Sequence, residues 1–260
     1  MTKAAMMNVP LVATRGIVVF PGQDVMIEVG RQKSVTAVNT ANDNYDAMVF
    51  IDCQKDIQIE DPKMDDIYAV GTLAKIKIIR RKEGYLRVTF TGMKRARLVS
   101  MSDDGNCLFA EAEPLDDIVG DTDEELLLVK RIISEFQKVS AITASFPADV
   151  VHQLSQGVSA VTLTDQFAQY FVTSLETKQK LLETLNINDR MYMIISELEK
   201  QERMNQLEST INEKVKQKID DSQKEYYLRE KLRAIKEELG DVSSMDDDAS
   251  KLRETVENNP

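Results

Sequence analysis

The stretch "YAVGTLAKIKIIRRKEGYLRVTFTG", Tyr68 to Gly92, decides the fold class. "YAVGTLAKIKII" is an apolar run rich in β-branched residues. "YLRVTFTG" alternates strictly, with Leu86, Val88 and Phe90 on one face. Between them "RRKEG" reads as a hairpin turn, which makes a solvated tip of the basic cluster Lys75, Lys77, Arg80, Arg81 and Lys82. Two antiparallel strands of this kind need further strands or a helix to cover their apolar face.

The flanking sequence supplies them. "GIVVFPG", Gly16 to Gly22, is expected to be a short strand closed by a Pro-Gly turn. "DVMIEVG" places Val25, Ile27 and Val29 on one face, and "DAMVFIDC" has the pattern of a buried strand. "DDGN", Asp103 to Asn106, joins "ARLVSM" to "CLFAEAE" as a second hairpin. One helix interrupts the strands: "RQKSVTAVNTAND" brings Val35, Val38 and Ala41 onto a common face.

At Pro114 the period changes from two to about 3.6. "TDEELLLVKRIISEFQ" opens with Thr122 and Glu125 at capping-box spacing and carries an expected inward stripe of Leu126, Val129, Ile133 and Phe136. "SFPADVVHQL", "TDQFAQYFVTSLE" and "TKQKLLETLN" add short helical runs. Residues 189–240 then hold 11 basic and 12 acidic residues with no proline, the composition of a long polar helix. Its apolar positions form a thin stripe, ending in Leu228, Leu232, Ile235 and Leu239. The phase slips at Asp220 to Ser222, which leaves open one continuous helix or two. The reading is therefore α+β. A mixed β domain, barrel-like, partly open and carrying one helix, spans 1–116. A helical bundle spans 117–188, a long extended helix 189–240, and a loose acidic tail 241–260.

The 260 residues carry a net charge of −11, which opposes nucleic acid as the main ligand. Ten acidic residues and no basic ones fall in 98–129, a solvated run without EF-hand spacing. Cys53 and Cys107 sit in apolar runs and are expected to be reduced core residues. No segment has the length of a signal peptide's apolar core or of a membrane span, so a soluble cytoplasmic protein is expected. The single histidine, His152, has no nucleophile paired with it in sequence. "GVSA" at Gly157 lacks the closing glycine of a nucleophile elbow, and no P-loop is present. No catalytic residue or metal site is expected in these residues. Met191 and Met193, among 12 methionines, are read either as gap-filling core or as adaptable binding surface for apolar partners.

Several stretches resemble a known family. "VPLVATRGIVVFPG" (Val9 to Gly22), "VGRQKSVTAV" (Val29 to Val38), "YAVGTLAKI" (Tyr68 to Ile76) and "FTGMKRARL" (Phe90 to Leu98) stand in the order seen in the amino-terminal domain of Lon proteases. "QKEYYLREKLRAIKEELG", Gln223 to Gly240, resembles the segment that joins that domain to the ATPase module. The resemblance implies a substrate-recognition and assembly module of an ATP-dependent serine protease that degrades misfolded and selected regulatory proteins. It implies unfolded or degron-bearing proteins as substrates, and the family's own ATPase module and neighbouring subunits of a homohexamer as partners. ATP and magnesium are expected only in the ATPase module, and no cofactor in these residues. Arg31, Gln32 and Lys33, at the strand-to-helix junction after Gly30, are the candidate substrate contacts, with Met191 and Met193. Leu228, Leu232, Ile235 and Leu239 are the candidate assembly seam. Two other readings compete: a stand-alone coiled-coil scaffold or adaptor built on the thin helical stripe, and an RNA-binding module, which the net charge disfavours.

Overall fold

The computed structural model describes the backbone of residues 5–138 and 146–257, and their side chains except at 138, 240–250 and 255–257. Six strands form one sheet in the order β2-β5-β4-β3-β1-β6. They are β1 (Met7–Thr14), β2 (Asp24–Val29), β3 (Met48–Cys53), β4 (Val70–Lys82), β5 (Tyr85–Asp103) and β6 (Leu108–Pro114). The opening stretch is the β4–β5 hairpin, paired from Val70↔Arg97 to Lys82↔Tyr85 around Glu83 and Gly84. β5 is 19 residues long and serves three partners. Its first part pairs with β2 and β4, and its last part, Ala96 to Asp103, pairs with β6. Register shifts between Leu73 and Ala74, Ile76 and Ile78, and Leu98 and Ser100 supply the bends that such a change of partner needs. The sheet thus curls until β6 meets β5, while one edge of β2 pairs with no strand among the described residues. It is a mixed sheet, not a clean barrel.

Helix α1 (Gln32–Asn44) buries Ala37, Val38 and Ala41 against one face of the sheet, in a core with Ile27, Val29, Val88 and Phe90. The stretch "GIVVFPG" departs from its expected strand. Val18, Val19 and Phe20 are buried, yet this stretch lies outside the sheet. The Thr72 hydroxyl donates to the Val19 carbonyl at 2.6 Å, and Gly92 leaves the space that lets Phe20 pass: a Cβ there would stand 2.1 Å from the Phe20 carbonyl oxygen. Apolar content predicted burial correctly, and burial does not require a ladder partner.

The helical part holds α2 (Thr122–Lys138), α3 (Ala148–Gln156), α4 (Ala160–Tyr170), α5 (Leu175–Glu183) and α6 (Ile187–Glu257). The Asp121 carboxylate, one residue before the expected capping box, accepts the Glu124 N–H at 2.9 Å and so caps α2. The inward face of α2 is Leu128, Ile132 and Phe136, with Val129 and Ile133 half-buried. Leu126, expected inside, is exposed. Four consecutive apolar residues, Leu126 to Val129, offer more than one apolar face, and periodicity alone does not choose between them. Phe136, Phe146 and Phe167 pack edge to face, with centroids 5.0 to 5.5 Å apart.

Core packing crosses both residue 116 and residue 188. Val18, Phe20, Cys53 and Val70 from the β part share a single core with the helices. The first turns of α6 add Met191, Ile194, Ile195 and Leu198 to it. The compact unit accordingly runs to Lys200, and Gln201–Pro260 is a second unit. Within that second unit α6 is continuous through Asp220 to Ser222 and on to Glu257. The segment 241–257, expected to be loose, is helical. Its polarity bears on burial, and with neither proline nor glycine it has no residue that breaks a helix. Among the described residues no helix is long and apolar enough to cross a membrane.

Candidate functional site

The free edge of β2 and the end of β1 wall a cleft of about 360 Å³ with an apolar floor of Val12, Ile17, Ile27 and Val29. The phase of the ladders sets which main-chain groups point into it. The Gly92 N–H donates to the Gln23 carbonyl at 2.9 Å, and Asp24 pairs with Thr91. In an antiparallel ladder this makes Val25, Ile27 and Val29 the residues bonded to β5, and turns the N–H and C=O of Asp24, Met26 and Glu28 to the unpaired side. On β1 the Gln54 N–H donates to the Thr14 carbonyl at 2.9 Å, so Thr14 faces β3 and Ala13 faces away from it.

A second cleft of about 380 Å³ adjoins the first, between the start of α1 and residues 60–62. Ala13, Arg15, Arg31 and Ser34 line both. Arg31 stands between them. Its guanidinium donates to the Glu60 carbonyl at 3.1 Å and to the Ala13 carbonyl. Burial pulls its pKa down, and the charge of Arg15 adds to that pull. Arg15 in turn donates to the Ile59 carbonyl at 3.3 Å. Lys33 pairs with Asp61 at 3.1 Å and Asp103 at 2.8 Å. These partners raise the Lys33 pKa, and the hydrogen bond from Lys33 lowers that of Asp103. Gln32 is exposed on the cleft rim.

The three residues singled out at the α1 junction therefore come together on one cleft, though Arg31 and Lys33 are held by partners within the chain. Met191 and Met193 do not join them. Met191 is fully buried in the core, and Met193 is half-buried with its sulfur 3.7 Å from the Thr184 hydroxyl. Of the two readings of these methionines, the structure takes gap-filling core, because the first turns of α6 complete the bundle. Leu228, Leu232, Ile235 and Leu239 are 43 to 59% exposed on α6. Arg15, Ile17, Ile27 and Glu60 are cleft residues that sequence reasoning did not single out. They come from segments that lie apart in sequence and meet only in the folded unit, and no local signal marks them.

A buried ion cluster ties strands to helices. Arg95 on β5 and Arg190 on α6 both bond the Asp165 carboxylate on α4, and Arg190 also donates to Asp117 at 2.6 Å. Arg95 and Asp165 are 2% exposed and Arg190 is fully buried. Burial pushes the Asp165 carboxyl up against the pull of both guanidiniums. His152 is exposed on α3, and Cys53 and Cys107 are free and buried, their thiols raised by desolvation. No group of three or more His, Cys, Asp or Glu among the described residues could hold a metal ion.

Residues 8–200 match the family model of the ATP-dependent protease La (LON) substrate-binding domain. Over 96% of its length the chain is 31% identical to a Lon protease of Bacillus thuringiensis and 30% identical to that of Escherichia coli. It spans about a third of the length of these curated relatives, 31% and 32% respectively. Its fold is similar to the N-terminal domain of a Mycobacterium avium complex Lon protease, with a TM-score of 0.60 and 19% identity, over 74% of this chain and 98% of that one. A Lon N-terminal domain protein from Xanthomonas campestris matches with a TM-score of 0.51 and 15% identity, over 73% and 98%. The matched residues 8–200 coincide with the compact unit that holds both clefts, and the chain belongs to the Lon family as its substrate-binding domain.

Proposed function

We propose that this chain is the client-engaging part of an ATP-dependent Lon protease and that the paired clefts around Arg31 receive apolar segments of unfolded or degron-bearing proteins. The observation that carries this reading is the apolar floor of Ile17, Ile27 and Val29 beside an unpaired strand edge, within the residues matched to a substrate-binding family. Unfolded chains share exposed apolar side chains and unsatisfied main chain, and this site offers a counterpart to both. In the whole protease the ATPase module takes ATP and magnesium, the serine protease module cuts, and the clients are misfolded and selected regulatory proteins. The exposed stripe Leu228, Leu232, Ile235 and Leu239 is then the seam that the chain's own ATPase module or a neighbouring subunit completes, in a homohexamer.

In this reading the side chains of Arg31 and Lys33, held by partners within the chain, shape and rim the cleft, and Gln32 and Arg15 are its more exposed contacts. A photo-crosslinker in place of Gln32, exposed to reduced and carboxymethylated lactalbumin, should label the unfolded protein, and a folded protein such as native lysozyme should escape. Crosslinks of equal yield from the outer face of α1, at Asp43, would overturn the placement.

A further inference from the structure

The two strand edges that wall the first cleft differ in what they leave free. On β1 the outward carbonyl of Ala13 is already capped by the Arg31 guanidinium. On β2 the main-chain groups of Asp24, Met26 and Glu28 face the unpaired side and meet no hydrogen-bond partner among the described residues. Edge strands are commonly guarded by charged side chains. Here those side chains are drawn across the sheet. Asp24 is held by Lys77 at 2.5 Å and Thr91 at 2.6 Å, and Glu28 by Arg87 at 2.6 Å. The β2 edge is left open beside an apolar floor.

The charges lining the cleft are unequally committed. Glu28 is paired with Arg87, and Lys33 is shared between Asp61 and Asp103. Glu60 is exposed, and its carboxylate forms no ion pair among the described residues. The guanidiniums of Arg15 and Arg31 meet only main-chain carbonyls, and neither forms an ion pair among the described residues. Asp61 acts on Arg31 only at a distance, so two adjacent guanidiniums outside any ion pair can still take a carboxylate that an occupant brings.

We propose that the client binds here as an added strand on β2. It is an extended protein segment, with alternate apolar side chains on the Ile17 and Ile27 floor and a carboxylate side chain directed to Arg15 and Arg31. This rests on the reading of the cleft as the client site and states how the client is held. Main-chain pairing gives affinity without regard to sequence, and the floor and the guanidiniums supply a modest preference. β1 does not pair, because β6 already occupies its outward edge over Met7–Leu11 and Arg31 caps Ala13 beyond it.

The test uses the whole chain and a labelled peptide of alternating valine and threonine with one central glutamate, read by fluorescence anisotropy. In Glu28→Pro the proline falls where the N–H points away from β5, so the ladder loses no bond while the edge loses a donor. Affinity should fall about tenfold, as for the loss of one or two hydrogen bonds. Glu28→Ala should bind within about twofold of the unaltered chain, since the carboxylate is not used. Independently, N-methylation of alternate peptide bonds should abolish binding to the unaltered chain in one phase and spare it in the other. Exchange of the glutamate for glutamine should weaken binding to the unaltered chain and leave binding to Arg15→Gln unchanged. Equal tolerance of N-methylation in both phases, with Glu28→Pro matching Glu28→Ala, would overturn strand pairing and leave the cleft reading intact. A peptide that does not bind the unaltered chain at all would overturn both.

Discussion

Asp165 is the carboxylate on which strands and helices meet. Two buried guanidiniums converge on it, one from β5 and one from α6, and Arg95 also donates to the Leu182 carbonyl at 3.1 Å. Removing one partner of such a cluster leaves uncompensated charge in the interior. Asp165→Ala should cost about 3–5 kcal/mol in urea unfolding. A loss near that of an exposed ion pair would show that water reaches the site. Asp52 makes a different prediction. Its side chain is buried, one oxygen accepts the Cys53 N–H at 2.7 Å, and the other meets no partner among the described residues. Desolvation raises its pKa well above the ordinary carboxylate value, and the nearby charge of Glu183 adds to it. The folded state therefore holds this proton more tightly than the unfolded chain does. The stabilisation is fully present below the ordinary carboxylate pKa and is lost as pH rises through the raised value. Urea midpoints followed upward through that window should decline in the unaltered chain, and Asp52→Asn should flatten the decline. The same slope in both would assign the effect elsewhere.

At the scale of the element, α6 contrasts with every other helix. Its first turns are buried, and the apolar positions from Met204 to Leu239 are roughly half exposed. Local pairs support it, such as Glu225 with Arg229 at 3.2 Å and Arg233 with Glu237 at 3.1 Å. Each such pair contributes only about 0.2–0.5 kcal/mol, so the helix depends on packing for lasting order. Amides of 226–239 should exchange far faster in this chain alone than in an intact assembled protease. Leu232→Asp with Leu239→Asp should block assembly of that protease and leave the unfolding midpoint of the 8–200 unit unchanged. Equal amide protection in the two settings would mean that the helix needs no partner. The thin stripe was legible in the sequence as spacing. What covers it was not, because a seam is defined by the surface that completes it.

For the whole molecule, the shared core makes a specific demand on where the chain can be cut. A chain ending at Lys200 keeps Arg190, Met191, Ile194, Ile195 and Leu198, and should unfold in one cooperative transition. A chain ending at residue 188 loses all five, leaving Asp165 with one guanidinium and the bundle with an open face. It should be markedly less stable or aggregate, and near-UV circular dichroism together with urea midpoints would separate the two. Cooperative unfolding of the shorter chain would restore the boundary at 188.

The sequence by itself determined the kinds of elements and their order. Strict alternation in Tyr85 to Gly92, the Asp103 to Asn106 turn and the apolar spacing of α1 are local patterns, and local sterics and burial are enough to read them. It determined the α+β class and the cysteines as core residues. Tertiary structure alone decided which face of α2 is buried, because four apolar residues in a row leave the rotation open. It decided that "GIVVFPG" packs without joining the sheet, and that the folded unit ends at Lys200. It alone also assembled the clefts, since residues 12–17, 27–34 and 60–62 lie apart in sequence and meet only in the folded unit. Periodicity reports the environment of one segment, and a cleft is a relation among several.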